Sequence, residues 1–145
     1  MNNTPIFVIF STIYVFLLAI VDGLFNRLVF RSKRTLAYKS EYKKEIYKMW
    51  EWGGIGFTFL ILLTIVLPVL GSYCLGGIAY VLVYLIILML IPWDMIFGIL
   101  VFDDIFGDTP SIAIPFYGWI SIPLWLAETI RIILAIIMFI KLKTI

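Results

Sequence analysis

One uncharged stretch dominates the hydrophobic pattern of this chain. From Trp52 to Trp93 there is no Asp, Glu, Lys or Arg, and most positions are Leu, Ile, Val, Phe, Tyr or Gly. This stretch is long enough to cross a bilayer twice, at about 20 residues for each crossing. A soluble domain of 145 residues could not bury it. The pattern therefore predicts an integral membrane protein.

Further apolar segments complete a predicted all-α bundle of four transmembrane helices. Gly71–Gly77 is predicted as a tight external turn after the second span, and Pro92 removes a backbone donor, so it kinks or ends the third. Beyond Pro92 the pattern is irregular and broken by prolines. The third span either continues as a tilted, kinked helix or is followed by a re-entrant or interfacial segment. The predicted spans of this single domain, 1–145, cover residues 5–29, 53–70, 75–101 and 120–140.

A basic segment, residues 31–51, follows the first span. Its apolar and aromatic residues recur at helical spacing, and its lysines occupy the opposite arc. The segment is therefore predicted to be an interfacial helix that contacts anionic lipid headgroups. It acts either as an anchor that fixes topology or as a docking site for a specific lipid or protein. Its basic residues are Arg31, Lys33, Arg34, Lys39, Lys43, Lys44 and Lys48.

The distribution of positive charge predicts the topology. Basic residues flanking short spans remain in the cytoplasm, so residues 31–51 are expected inside and the N-terminus outside. Four crossings then place the acidic loop, residues 103–111, inside and the C-terminus outside. Lys141 and Lys143 near the C-terminus mildly oppose this orientation. The first span lacks a preceding basic region and a following small-residue cleavage site, so it is not predicted to be a cleavable signal peptide.

Composition narrows the chemistry that the chain can perform. Hydrophobic residues make up 63% of it, against about 45–50% in soluble proteins, and its net charge is +2. It has no histidine, which excludes histidine metal ligands and a histidine general base. A single cysteine, Cys74, excludes an internal disulfide and a cysteine-cluster metal site. Neither a cofactor nor a nucleic-acid partner is expected, and an enzyme is disfavoured.

Charged residues inside the apolar segments are the principal candidate site. Glu128 and Arg131 are three residues apart on one helix face and can pair. Arg131 lies ten residues before Lys141, or about 15 Å deeper along a helix, which is close to the bilayer midplane. The pair either forms part of an ion, proton or substrate pathway or locks its helix to a neighbour, for which Asp94 is the candidate partner. Asp94 follows Pro92 at the helix break and either satisfies freed backbone groups or points into a cavity.

The acidic loop is a second candidate site. Asp103, Asp104 and Asp108 lie close together in the sequence beside Gly107. Carboxylate oxygens of this kind suit Mg²⁺ that bridges to a phosphate. The alternative is a solvated loop that its charges hold outside the bilayer.

Three functions compete on this basis. The first is a non-catalytic subunit that packs within a larger integral membrane complex. The second is a small transporter or channel that assembles from several copies and uses Glu128, Arg131 and Asp94. The third is a Mg²⁺-dependent lipid-phosphate enzyme that uses the acidic loop. The expected partners are membrane lipids and either other membrane subunits or further copies of the chain.

Overall fold

The computed structural model describes residues 3–31, 55–107, 111–114 and 118–145. We number the α-helices and strands in chain order, and a π-helical segment, Leu62–Val66, joins α2 to α3. The basic segment lies outside the described residues, except that Arg31 ends α1. The elements are α1 (Thr4–Arg31), α2 (Ile55–Ile61), α3 (Leu67–Leu90), α4 (Trp93–Phe102), β1 (Ser111–Ile114), β2 (Gly118–Ser121) and α5 (Leu124–Thr144).

Two helical stretches, Thr4–Arg27 and Thr58–Phe102, are long and apolar enough to cross a membrane. The first lies within α1, which begins with Pro5 in its first turn, where a proline costs no hydrogen bond. The second contains α3 and α4 together with the π-helical segment. Helix α5 is of similar length to a span, but charged residues interrupt its apolar sequence. Four crossings therefore remain a prediction.

The chain reverses direction at Gly76–Gly77, inside α3. Gly77 has a φ of 66°, a conformation that glycine adopts without steric cost. The hydroxyl of Tyr84 donates to the carbonyl of Thr64 at 2.6 Å, although twenty residues of straight helix would separate the two by about 30 Å. The helix on either side of the glycines must therefore fold back on itself. The predicted turn began at Gly71, whereas the non-helical backbone is confined to the last two residues of that range.

A small core lies where α1 meets α3. Val15 of α1 packs with Tyr84 and Leu88 of α3 and with Ile91 at the helix end.

Helix α1 also packs along α4, and α5 packs against α3. Gly23 permits the close approach of α1 and α4, because a Cβ at this position would come within 2.6 Å of Leu100. In the described residues these helices thus pack against one another through few buried side chains. Most of the large apolar side chains face outwards.

Helix α4 continues along α1 in the direction taken by the second half of α3. Tyr80 of α3 lies 3.3 Å from Thr4, near the start of α1. Asp103, just after α4, lies 3.9 Å from Arg27, near the other end of α1. These contacts place α4 beyond the second half of α3 along α1, and both predicted courses after Pro92 stay predictions.

A short antiparallel hairpin departs from the all-α prediction. Strand β1 pairs with β2, with Ser111 opposite Ser121 and Ile114 opposite Gly118. Pro115 lies between the strands in the sequence and Pro123 follows them, and proline disfavours a continuous helix here. Four-residue strands that are rich in isoleucine suit an extended conformation. The described chain is otherwise helical.

Candidate functional site: a charged cluster at the Pro92 break

Pro92 leaves backbone carbonyls at the end of α3 without their usual helical donors. In an uninterrupted helix the N–H of residue 92 would donate to the carbonyl of Leu88, four residues earlier, but proline has no N–H. Ile91 leaves the helical conformation, with φ −70° and ψ 124°. Its N–H still donates to the carbonyl of Ile87 at 3.1 Å. Leu88 is buried, so its carbonyl needs a donor from another part of the chain, because an unpaired buried carbonyl is costly.

Arg131 of α5 supplies that donor. Its Nη2 donates to the carbonyl of Leu88 at 3.1 Å and to the carbonyl of Ile91 at 2.5 Å. Its Nη1 lies 3.2 Å from Oδ2 of Asp94 and 3.5 Å from Oε1 of Glu128. One planar guanidinium thus joins two backbone carbonyls and two carboxylates at the break between α3 and α4.

The charges of this cluster match the two helix ends that meet at the break. The C-terminal end of α3 carries a partial negative charge, and the N-terminal end of α4 carries a partial positive charge. Arg131 contacts the first, and Asp94 lies in the first turn of the second. Arg131 therefore interacts favourably with the end of α3, and Asp94 with the start of α4. The two side chains also interact favourably with each other. The side chains of Arg131, Asp94 and Glu128 are only 16–21% exposed.

Small residues bring α5 close enough for Arg131 to reach the break. Ala127 and Ala135 lie four residues before and after Arg131, on the same face of the helix. Both alanines are buried, and α5 packs against α3. Small side chains let two helix backbones approach each other in a membrane. The three-residue spacing of Glu128 and Arg131 places the carboxylate on this face as well.

A second polar contact connects α1 to the same break, and sequence reasoning did not predict it. The indole Nε1 of Trp93 donates to Oδ2 of Asp22 at 2.9 Å. Asn26, which is buried, donates to Oδ1 of the same carboxylate at 3.0 Å. A four-residue spacing places Asp22 and Asn26 on one face of α1, but Trp93 lies 71 residues along the chain from Asp22. No periodicity in a single sequence could reveal that contact.

Two of the three acidic residues of the loop, Asp103 and Asp104, are described, and the carboxylate of Asp103 lies 3.9 Å from Arg27. Oδ1 of Asp104 accepts the N–H of Phe106 at 3.0 Å, and Asp103 adopts the left-handed conformation that ends α4. Asp108 lies outside the described residues. No group of three acidic or other ligating side chains suited to a metal ion occurs within the described ranges. The Mg²⁺ site therefore stays a prediction, as do the roles proposed for the basic segment.

Comparison of the chain with models of known protein families, with characterised proteins and with solved structures finds no match.

Proposed function

We propose that this chain is a small polytopic integral membrane protein that serves as a non-catalytic subunit within a larger membrane complex. The observation that carries the proposal is the engagement of Arg131. Its described contacts go to the carbonyls of Leu88 and Ile91 at the end of α3, to Asp94 of α4 and to Glu128 of its own helix. The first three of these contacts join α5 to the break between α3 and α4. A charge that is held in this way supports a scaffold more than a mobile pathway.

The distribution of apolar side chains supports the same proposal. Phe10 and Leu17 of α1 are 69% and 54% exposed, and Ile136 and Ile140 of α5 are 54% and 57% exposed. Exposed apolar surface of this extent requires lipid or other membrane subunits as its neighbours. The core that the chain forms by itself is small, which favours a protein that is completed by its surroundings.

The arrangement proposed for the membrane has four crossings. They are α1, the helix before the Gly76–Gly77 reversal, the kinked helix after it, and α5. Helix α5 has 21 residues and is about 31 Å long, which matches a hydrocarbon core about 30 Å thick. In this arrangement the N-terminus lies outside, and residues 31–51 contact anionic headgroups in the cytoplasmic leaflet.

A second candidate is an oligomeric transporter or channel, and one observation favours it. Among the described residues, three carboxylates, those of Asp22, Asp94 and Glu128, face the break region with one guanidinium, that of Arg131. Such an excess of acidic groups near a discontinuous helix is a feature of sites that bind protons or cations in membranes. On this hypothesis several copies would assemble around a shared path.

Native mass spectrometry distinguishes the two candidates. The full chain, tagged and expressed at its natural level in its own cells, would be extracted in a mild detergent and transferred to lipid nanodiscs. The subunit proposal predicts a discrete complex that contains other proteins in fixed stoichiometry. As a control, an Arg131→Met variant, in which α5 is released from the break, should yield less of this complex.

The alternative outcomes are equally specific. A homo-oligomer that acidifies or depolarises liposomes, and that loses this activity on Asp94→Asn or Glu128→Gln substitution, would support the transporter. A monomer without other proteins would contradict the subunit proposal.

A further inference from the structure

The π-helical segment before α3 leaves two adjacent carbonyls without their usual α-helical donors. The N–H of Leu67 donates to the carbonyl of Leu62, five residues earlier, whereas an α-helix joins residues four apart. The next donor would be residue 68, but proline has no N–H. The carbonyls of Leu63 and Thr64 therefore both lack their usual α-helical donor, because the N–H of Leu67 is directed to Leu62 and Pro68 has no N–H.

Two tyrosines from different parts of the chain satisfy these carbonyls. The hydroxyl of Tyr14, in α1, donates to the carbonyl of Leu63 at 2.6 Å. The hydroxyl of Tyr84, beyond the Gly76–Gly77 reversal, donates to the carbonyl of Thr64 at 2.6 Å. Each unpaired carbonyl therefore has one hydroxyl donor.

The two tyrosines are needed to different extents in the two possible helix registers. If the segment adopted an ordinary α-helix, the N–H of Leu67 would donate to the carbonyl of Leu63, which would no longer need Tyr14. The carbonyl of Thr64 would still face Pro68 and would still need Tyr84. Tyr84 thus suits both registers, whereas Tyr14 is required only for the π register.

We propose that Leu62–Val66 is a two-register switch and that Tyr14 is the latch that holds it in the π form. Release of Tyr14 lets the segment relax to an α-helix, which turns the preceding helix α2 by about 100° and advances it by about 1.5 Å relative to α3. Within the described ranges α2 packs mainly on its own continuation, so this rotation breaks few contacts. A displacement of α1 would then change the face that α2 presents. This inference is independent of the proposed subunit role.

Distances between spin labels test the switch in the full chain in lipid nanodiscs. Cys74 would be replaced by serine, and labels would be attached to cysteines at Phe59 of α2 and Ile133 of α5, both of which are exposed. Tyr14→Phe should move the distance distribution by an amount on the order of 8 Å, because a rotation of about 100° displaces a side chain by more than the helix radius. Tyr84→Phe should leave the main distance unchanged and lower the melting temperature. Tyr73→Phe, at an exposed position, is the matched control and should alter neither.

Two further variants keep the test decisive if Tyr14→Phe folds poorly. Pro68→Ala restores the missing N–H and should shift the same distance while Tyr14 is intact. Deletion of Ile65 removes the extra residue of the π turn, and in that background Tyr14→Phe should no longer move the labels. Identical distances in the wild type, Tyr14→Phe and Pro68→Ala would overturn the proposal. So would a shift caused by Tyr84→Phe alone.

Discussion

The guanidinium of Arg131 occupies the hydrogen-bonding position that Pro92 leaves empty at the carbonyl of Leu88, with 3.1 Å between Nη2 and the carbonyl oxygen. A side chain from one helix thus replaces a backbone donor that is missing from another. The same arrangement occurs at Pro68, where the donors are tyrosine hydroxyls. Both prolines are tolerated because neighbouring segments satisfy the carbonyls that they free.

We expect Pro92→Ala to reduce the cost of losing Arg131. The alanine N–H can donate to the Leu88 carbonyl, so Arg131→Met should leave one fewer acceptor unsatisfied in that background. The free energies of unfolding, measured by denaturant titration in detergent micelles, should show a coupling of about 1 kcal/mol between the two substitutions. Pro68→Ala is the control, because it lies at a different break and should be additive with Arg131→Met. Strict additivity for both prolines would show that Arg131 does not replace the missing donor.

The charged cluster should respond as one unit to substitution. Arg131→Met leaves the carboxylates of Asp94 and Glu128 facing each other without a cation, and we expect it to destabilise the fold by about 3–5 kcal/mol. Adding Asp94→Asn and Glu128→Gln removes the unpaired charges and should recover part of that loss. Thermal melts of the single and triple variants test this. A triple variant whose loss equals the sum of the three single losses would show that these residues do not interact.

The contact between Trp93 and Asp22 should be worth about 1.5–3 kcal/mol, because the donor is bonded to a carboxylate. Trp93→Phe keeps most of the apolar surface and removes only the indole donor. Trp125→Phe, at a position that is 69% exposed, is the matched control and should change the free energy of unfolding by less than about 0.5 kcal/mol. Equal effects of the two substitutions would exclude a specific role for the indole hydrogen bond.

The charged cluster shows which features of this molecule a sequence can reveal. The sequence predicts that Glu128 and Arg131 pair, because a spacing of three residues places two side chains on the same face of a helix. It also predicts the break at Pro92, because proline has no backbone N–H to donate. The contact between Asp22 and Trp93 depends instead on how α1 packs against α4. The π-helical segment was hidden for a similar reason, since its unpaired carbonyls are satisfied by hydroxyls from two distant segments. Both the contact between Asp22 and Trp93 and the π-helical segment depend on tertiary contacts, which no local sequence pattern encodes.

The proposed orientation in the membrane can be tested by thiol labelling. Cysteines introduced at Ser32 and Ser40, after Cys74 is replaced by serine, should resist an impermeant thiol reagent in intact cells, because the basic residues around them favour the cytoplasm. Permeabilised cells should allow both positions to react. Native Cys74, which is exposed close to the Gly76–Gly77 reversal, is expected at the outer side and serves as the accessible control. Labelling of positions 32 and 40 from outside would invert the proposed orientation.

The acidic loop offers a test between an enzyme and a protein without catalytic function. If Asp103, Asp104 and Asp108 bind Mg²⁺, the ion should raise the melting temperature in a saturable manner, because a ligand that binds only the folded state stabilises it by mass action. We expect no such rise, because Asp104 accepts a backbone N–H within its turn and exposed carboxylates bind Mg²⁺ weakly while the ion retains most of its waters. The measurement is a thermal-melt titration with Mg²⁺ against Na⁺ at matched ionic strength, with Asp103→Asn/Asp104→Asn as the control variant. A saturable increase that disappears in this variant would contradict our expectation and make the lipid-phosphate enzyme the leading hypothesis.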